Sequence, residues 1–159
     1  MAAHGERERT TFLEASQVVE RTNRYARRAR DLLMIRMQQD APSDERTRLT
    51  LDLIERQRAE LEAAMTRATE ALSPRLLATR VQYSVDPWDR EPEPPRSTAI
   101  EEAIRSMLGL DAKLITTYRE IAERTDNDQA VRALFASLAE LVEGFDRRIA
   151  REGQNAHDV

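Results

Sequence analysis

Between Ile100 and Ile121 seven residues recur at alternating steps of four and three: Ile100, Ile104, Met107, Asp111, Leu114, Tyr118 and Ile121. That spacing follows the turn of an α-helix and places all seven on one face, so the segment must bury a continuous stripe against other elements. Six of the seven are apolar or aromatic; the seventh, Asp111, stands in the middle. A carboxylate there needs a cationic partner, a proton or a path to water, because a buried unpaired charge is strongly unfavourable.

Three other segments carry the same kind of periodicity. Helix A is expected from about Thr10 to Gln39, with Phe12, Val18, Val19, Tyr25, Ala26, Ala29, Leu32, Leu33 and Met37 on its apolar side, and a stop at Asp40-Ala41-Pro42. Helix B opens at Ser43 or Asp44, both good N-cap types, and continues through Leu49, Leu53, Ile54, Leu61, Met65, Ala68 and Leu72 to Ser73-Pro74. Leu76, Leu77, Val81 and Tyr83 read as one or two further helical turns. Helix C, which carries the opening stripe, starts near Ser97 or Thr98, in capping-box spacing with Glu101 or Glu102. Helix D runs from about Asp128 with Val131, Leu134, Phe135, Leu138, Leu141, Val142, Phe145 and Ile149 buried, and is expected to fray at Gly153.

With four Gly in 159 residues, few aromatics and a third of the chain charged, the expectation is an all-α fold without strands. The chain reads as one helical domain over residues 1–159: a hairpin A–B over 10–82, a Pro-rich linker over 83–97 and a hairpin C–D over 98–152. Helices of about 25 residues are roughly 38 Å long. The linker, from about Tyr83 to Arg96, reaches roughly 45 Å when extended. It can therefore cross from one end of the helices to the other. Two short hairpins joined by a long crossover predict a four-helix bundle of ferritin-like connectivity, not an up-down-up-down one. Helix B and helix D also begin alike, and an internal duplication would set Ile54, Arg58 and Leu61 opposite Leu138, Val142 and Phe145.

Zero Cys excludes disulfides, thiolate metal sites and a cysteine nucleophile. The first residues are polar and the longest apolar run, Leu32 to Ile35, is too short for a bilayer, so a cytoplasmic location without membrane association is expected. The net charge of −4 argues against general nucleic-acid binding, and there is no Gly-rich phosphate loop, nucleophile elbow or Ser near a His.

From Leu108 to Ile149 the chain resembles the C-terminal half of rubrerythrin-like, ferritin-like proteins, through Leu108-Gly109-Leu110-Asp111, Tyr118-Arg119-Glu120-Ile121-Ala122-Glu123 and Leu134-Phe135-Ala136-Ser137-Leu138-Ala139-Glu140. The resemblance implies a bundle with Glu two turns before the Tyr on helix C and Glu-x-x-His on helix D. At those positions stand Asp111, Val142 and Phe145, and helix B has Gln57, Arg58 and Leu61 at the corresponding level. His4 and His157 lie in the tails, and no Glu-x-x-His occurs. A carboxylate-bridged pair of metals needs convergent Glu and His donors from four helices, so the expectation is a degenerate member with no metal, no cofactor and no enzymatic activity.

Asp111 is then expected to pair with an arginine, first Arg58, next Arg27 or Arg28, or else to reach water from the edge of its stripe. A divergent iron or manganese site using Asp111, Glu140 or Glu143, with oxidoreductase or storage activity, is the alternative. Arg21, Arg24, Arg27, Arg28 and Arg30 form an arginine cluster on helix A that could bind anions, a protein partner or nucleic acid, with Arg21, Arg24, Arg27 and Arg28 as the candidate surface. The first 80 residues hold 15 Arg against 13 acids and the remainder 10 basic residues against 16 acids, so pairing within the chain or across a homodimer is the plainer use of that face. Trp88, alone in the linker, either tucks back onto the helices or docks on another chain. Tyr25, Tyr83 and Tyr118 read as packing residues at the core edge, each with a hydroxyl reaching a polar partner.

Overall fold

The apolar stripes form four long helices: α1 (Ala15–Gln39), α2 (Glu45–Glu70), α4 (Ile100–Arg124) and α5 (Gln129–His157). A short α3 (Pro74–Leu77) follows α2. The computed structural model describes residues 9–41 and 44–157, with side chains as far as residue 151. Pro42, Ser43 and His4 therefore lie outside the described residues, as does the side chain of His157.

Local chemistry sets several helix starts. Asp44 caps α2, accepting the Thr47 N–H at 2.7 Å and the Thr47 hydroxyl at 2.9 Å, which holds its carboxyl below the usual range. Ser73 caps α3, whose first residue is Pro74, and Asp128 Oδ1 accepts from the N–H groups of Ala130 and Val131 at 3.0 and 3.1 Å. The capping box expected for helix C is absent. Its cap is Ala99, with no side-chain bond, because Ser97 Oγ is turned to the Ala99 N–H and Thr98 is buried. Helix D does not end at Gly153 but continues to His157.

Two segments expected to be helical are strands. β1 (Thr10–Glu14) pairs antiparallel with β2 (Arg80–Ser84), Thr10 opposite Ser84 and Glu14 opposite Arg80. Val81 and Tyr83 alternate with polar residues, a period of two that turns both into the core, and Thr10-Thr11-Phe12 is rich in strand formers. Phe12, expected in the core, is 63% exposed because it lies on the outer side of the ribbon; Leu49 on α2 is also exposed. The fold is thus mostly helical with a small two-stranded sheet.

The segment after β2 is ordered by α1. Arg9 bonds Asp86 and Asp89, Trp88 lies on Tyr25, Arg28 pairs with Glu91, and Arg36 Nη2 donates to the Arg96 carbonyl. Rising residue numbers on the crossover meet rising numbers on α1, so the crossover climbs α1 from Tyr25 to Arg36 in its last turn. α4 then descends antiparallel to α1, with Tyr118 bonded to Thr22. α4 packs most extensively on α5, and α5 packs on α2 more than α4 does.

The interior is divided. A larger hydrophobic cluster spans the ribbon end and includes Val18, Leu61, Met65, Tyr83, Leu114, Tyr118, Phe135 and Val142. A smaller one at the other end holds Leu33, Leu51, Ile54, Ala103, Met107 and Ile149. No helix among the described residues is long and apolar enough to cross a membrane.

Candidate functional site

Between the two clusters the helices present charge. On α2 the buried stripe runs Leu51, Ile54, Arg58, Leu61 and Met65, so the helical period itself turns Arg58 inward. On α4 the same argument turns in Asp111, between Met107 and Leu114. Arg58 Nη1 donates to Asp111 Oδ1, and the two side chains are 1% and 0% exposed. Neither is at a stripe edge reaching water.

A third group completes the layer. Asp146 on α5, one residue past Phe145, lies half-buried beside the pair. Burial pushes its carboxyl up to about 8, a hydrogen bond to Asp111 and the negative charge of Asp111 push the same way, and Arg58 opposes them. The Asp146 carboxyl is thereby held toward its protonated form beside Asp111. A carboxyl group held toward its protonated form adds little charge to the Arg58–Asp111 pair, which lets a third ionisable side chain share the core. Arg58 Nε and Nη2, Asp111 Oδ2 and Asp146 Oδ1 are buried with no hydrogen-bond partner among the described residues.

Folding stability should accordingly depend on pH through Asp146. Its folded pKa lies above the unfolded value, so the folded state binds more protons in the window from about 4 to about 8 and loses stability as pH rises through it. Urea midpoints measured across that window should fall for the natural chain and stay flatter for Asp146→Asn, whose amide keeps a donor toward Asp111. Equal slopes would remove Asp146 from the layer.

A second polar group flanks the first. Arg30 of α1 reaches Glu62 at 3.3 Å and Glu55 at 3.9 Å across to α2. Burial raises the Glu62 carboxyl while Arg30, Arg58 and Arg27 pull it down. Tyr118, fully buried and not at the core edge, shares a 2.7 Å hydrogen bond with Thr22, whereas the buried Tyr83 hydroxyl has no partner among the described residues. Burial raises the pKa of both phenols.

The remaining sequence candidates separate. Trp88 is not presented to a partner: it is 9% exposed, its ring meets Tyr25 edge to face at 5.1 Å, and its Nε1 donates to Thr117 Oγ1 at 3.0 Å. The indole is long enough to span from the crossover to both helices, and burying it there satisfies its one donor. Arg21, Arg24 and Arg28 line one groove with the crossover, while Arg27 lies in another beside Thr66, Thr69 and Glu70 of α2. Arg27 and Arg28 do not reach Asp111; Arg28 pairs with Glu91. Glu140 is exposed and Glu143 pairs with Arg119.

Asp146 and Glu62 are not marked by the sequence, and Arg30 is marked only as a member of the helix A arginine cluster. The available signal was their place one step off an apolar stripe: Asp146 follows Phe145 and precedes Ile149, the same margin that a solvated residue occupies.

No family model, curated protein or solved structure matches this chain.

Proposed function

We propose that the chain is a ferritin-like four-helix bundle whose central layer is an ion-pair network in place of two metal ions, and that it serves as a non-enzymatic structural or protein-interaction module assembled as a homodimer. The observation that carries this reading is the Arg58 guanidinium bound to Asp111 at the level where such bundles gather metal ligands. A cation already occupies the carboxylate, and a divalent ion would have to displace it against charge repulsion. Val142 and Phe145 offer no donor atoms there. Among the described residues no three His, Cys, Asp or Glu side chains gather to hold a metal, so the donor set does not fit a di-metal centre.

The connectivity supports the bundle reading. The crossover climbs α1, which makes α2 and α4 parallel and leaves α1 and α5 each beside both of them, the up-down-down-up order of ferritin-like bundles. The interaction reading is supported by large apolar side chains left exposed near the α1–α2 connection, Met34 and Ile35 on one side and Leu49 on the other.

Elemental analysis after incubation with excess ferrous or manganous ion, followed by desalting, tests the central point. Metal far below one ion per chain is expected, and stoichiometric retention would overturn the proposal. Sedimentation equilibrium on the same sample should give the mass of two chains; a monomer at all concentrations would remove the homodimer.

A further inference from the structure

We propose that the groove between α1 and the crossover is a binding site for a small phosphorylated anion, a phosphate or diphosphate ester. The groove encloses about 580 Å³, within the roughly 300–1,000 Å³ typical of small-ligand pockets. One wall is the face of α1 on which Arg21, Arg24 and Arg28 fall at steps of three and four; the other is the crossover with Arg90. Four arginines thus line one concave surface from two sides.

The carboxylates of the groove are already engaged. Asp89 accepts from Arg9 at 2.8 Å, and Glu91 accepts from Arg28 at 3.1 Å across the groove, tying its two walls together. Arg21 and Arg90 form no ion pair among the described residues, and Arg24 has only the exposed Glu20, at 3.0 Å on its own helix. Exposed pairs of that kind are weak and yield readily to a better acceptor. An arginine fork matches two oxygens of a phosphoryl group, so three such forks suit a dianion or a diphosphate better than a single carboxylate.

The crossover wall is held in place, as a specific site requires. Trp88 anchors it through Tyr25 and Thr117, and Arg9 binds both Asp86 and Asp89 at its start. A diphosphate would fill only part of the volume, leaving the side of Tyr25 and Pro92 for an organic remainder.

Isothermal titration with pyrophosphate, with orthophosphate and sulfate as parallel arms at constant ionic strength, tests the site on the whole chain. Saturable binding is expected, tightest for pyrophosphate, weakened on the order of tenfold or more in Arg21→Gln/Arg90→Gln. Arg132→Gln, an exposed change on α5 outside the groove, should bind as the natural chain does. All three side chains are exposed, so matching urea midpoints will show the variants equally folded. Equal affinity in the double variant, equal loss in Arg132→Gln, or no pyrophosphate binding at millimolar concentration overturns the proposal. So does tight binding of a single-stranded oligonucleotide that pyrophosphate cannot displace, which would assign the arginines to nucleic acid.

Discussion

Replacing Arg58 with leucine is expected to lower the unfolding free energy by about 3–5 kcal/mol, the usual cost of stranding a buried charge whose partner is removed. The stranded charge is that of Asp111, which is fully buried and has the Asp146 carboxyl beside it. Asp111→Leu alone should cost less, because Asp146 is freed of the charge that raises its carboxyl and, with Glu62, can answer the Arg58 guanidinium. The double variant Arg58→Leu/Asp111→Leu should be markedly less destabilised than the two losses added together, since what remains is one protonated acid among apolar groups. Urea denaturation at neutral pH supplies all four corners of the cycle. A double variant less stable than either single one would falsify the pairing.

Trp88→Ala should produce a loss of comparable size, about 3–5 kcal/mol, the range for truncating a large buried aromatic. Three contributions disappear together: the buried indole surface, the edge-to-face contact with Tyr25 and the hydrogen bond to Thr117. Trp88→Phe should recover most of the packing but not the hydrogen bond, and so fall between. Because Trp88 is the only tryptophan, the emission of the natural chain should be blue-shifted and poorly quenched by acrylamide. A Trp88→Ala chain as stable as the natural one would return the residue to the role of a docking aromatic.

The four long helices were legible because each carries an apolar stripe over many turns, and a period sustained that long has one reading. The ribbon was not. β1 and β2 are five residues each, and a run such as Arg80-Val81-Gln82-Tyr83-Ser84 is too short to separate a period of two from one helical turn. What decides between them is a partner about 70 residues away, which local spacing does not reveal. Trp88 was ambiguous for a related reason, since its acceptor, Thr117, belongs to a helix that begins after it. At the central layer the sequence marked Asp111 by its break in the stripe and Arg58 by its height on α2. Asp146 stayed hidden because its proton, and therefore its tolerance of burial, comes from the surroundings that the fold creates.

The position of that layer has a consequence for how the helices are aligned. Apolar stripes are nearly self-similar, and a helix can slide by one turn of roughly 5.4 Å and still meet hydrophobic neighbours. Here such a slip of α2 along α4 would set Arg58 against Met107 or Leu114 and leave Asp111 facing Ile54 or Leu61. Each displaced arrangement buries two unmatched charges. The layer, lying between the hydrophobic clusters and drawing one group from each of three helices, acts as a key that admits a single longitudinal alignment of α2, α4 and α5.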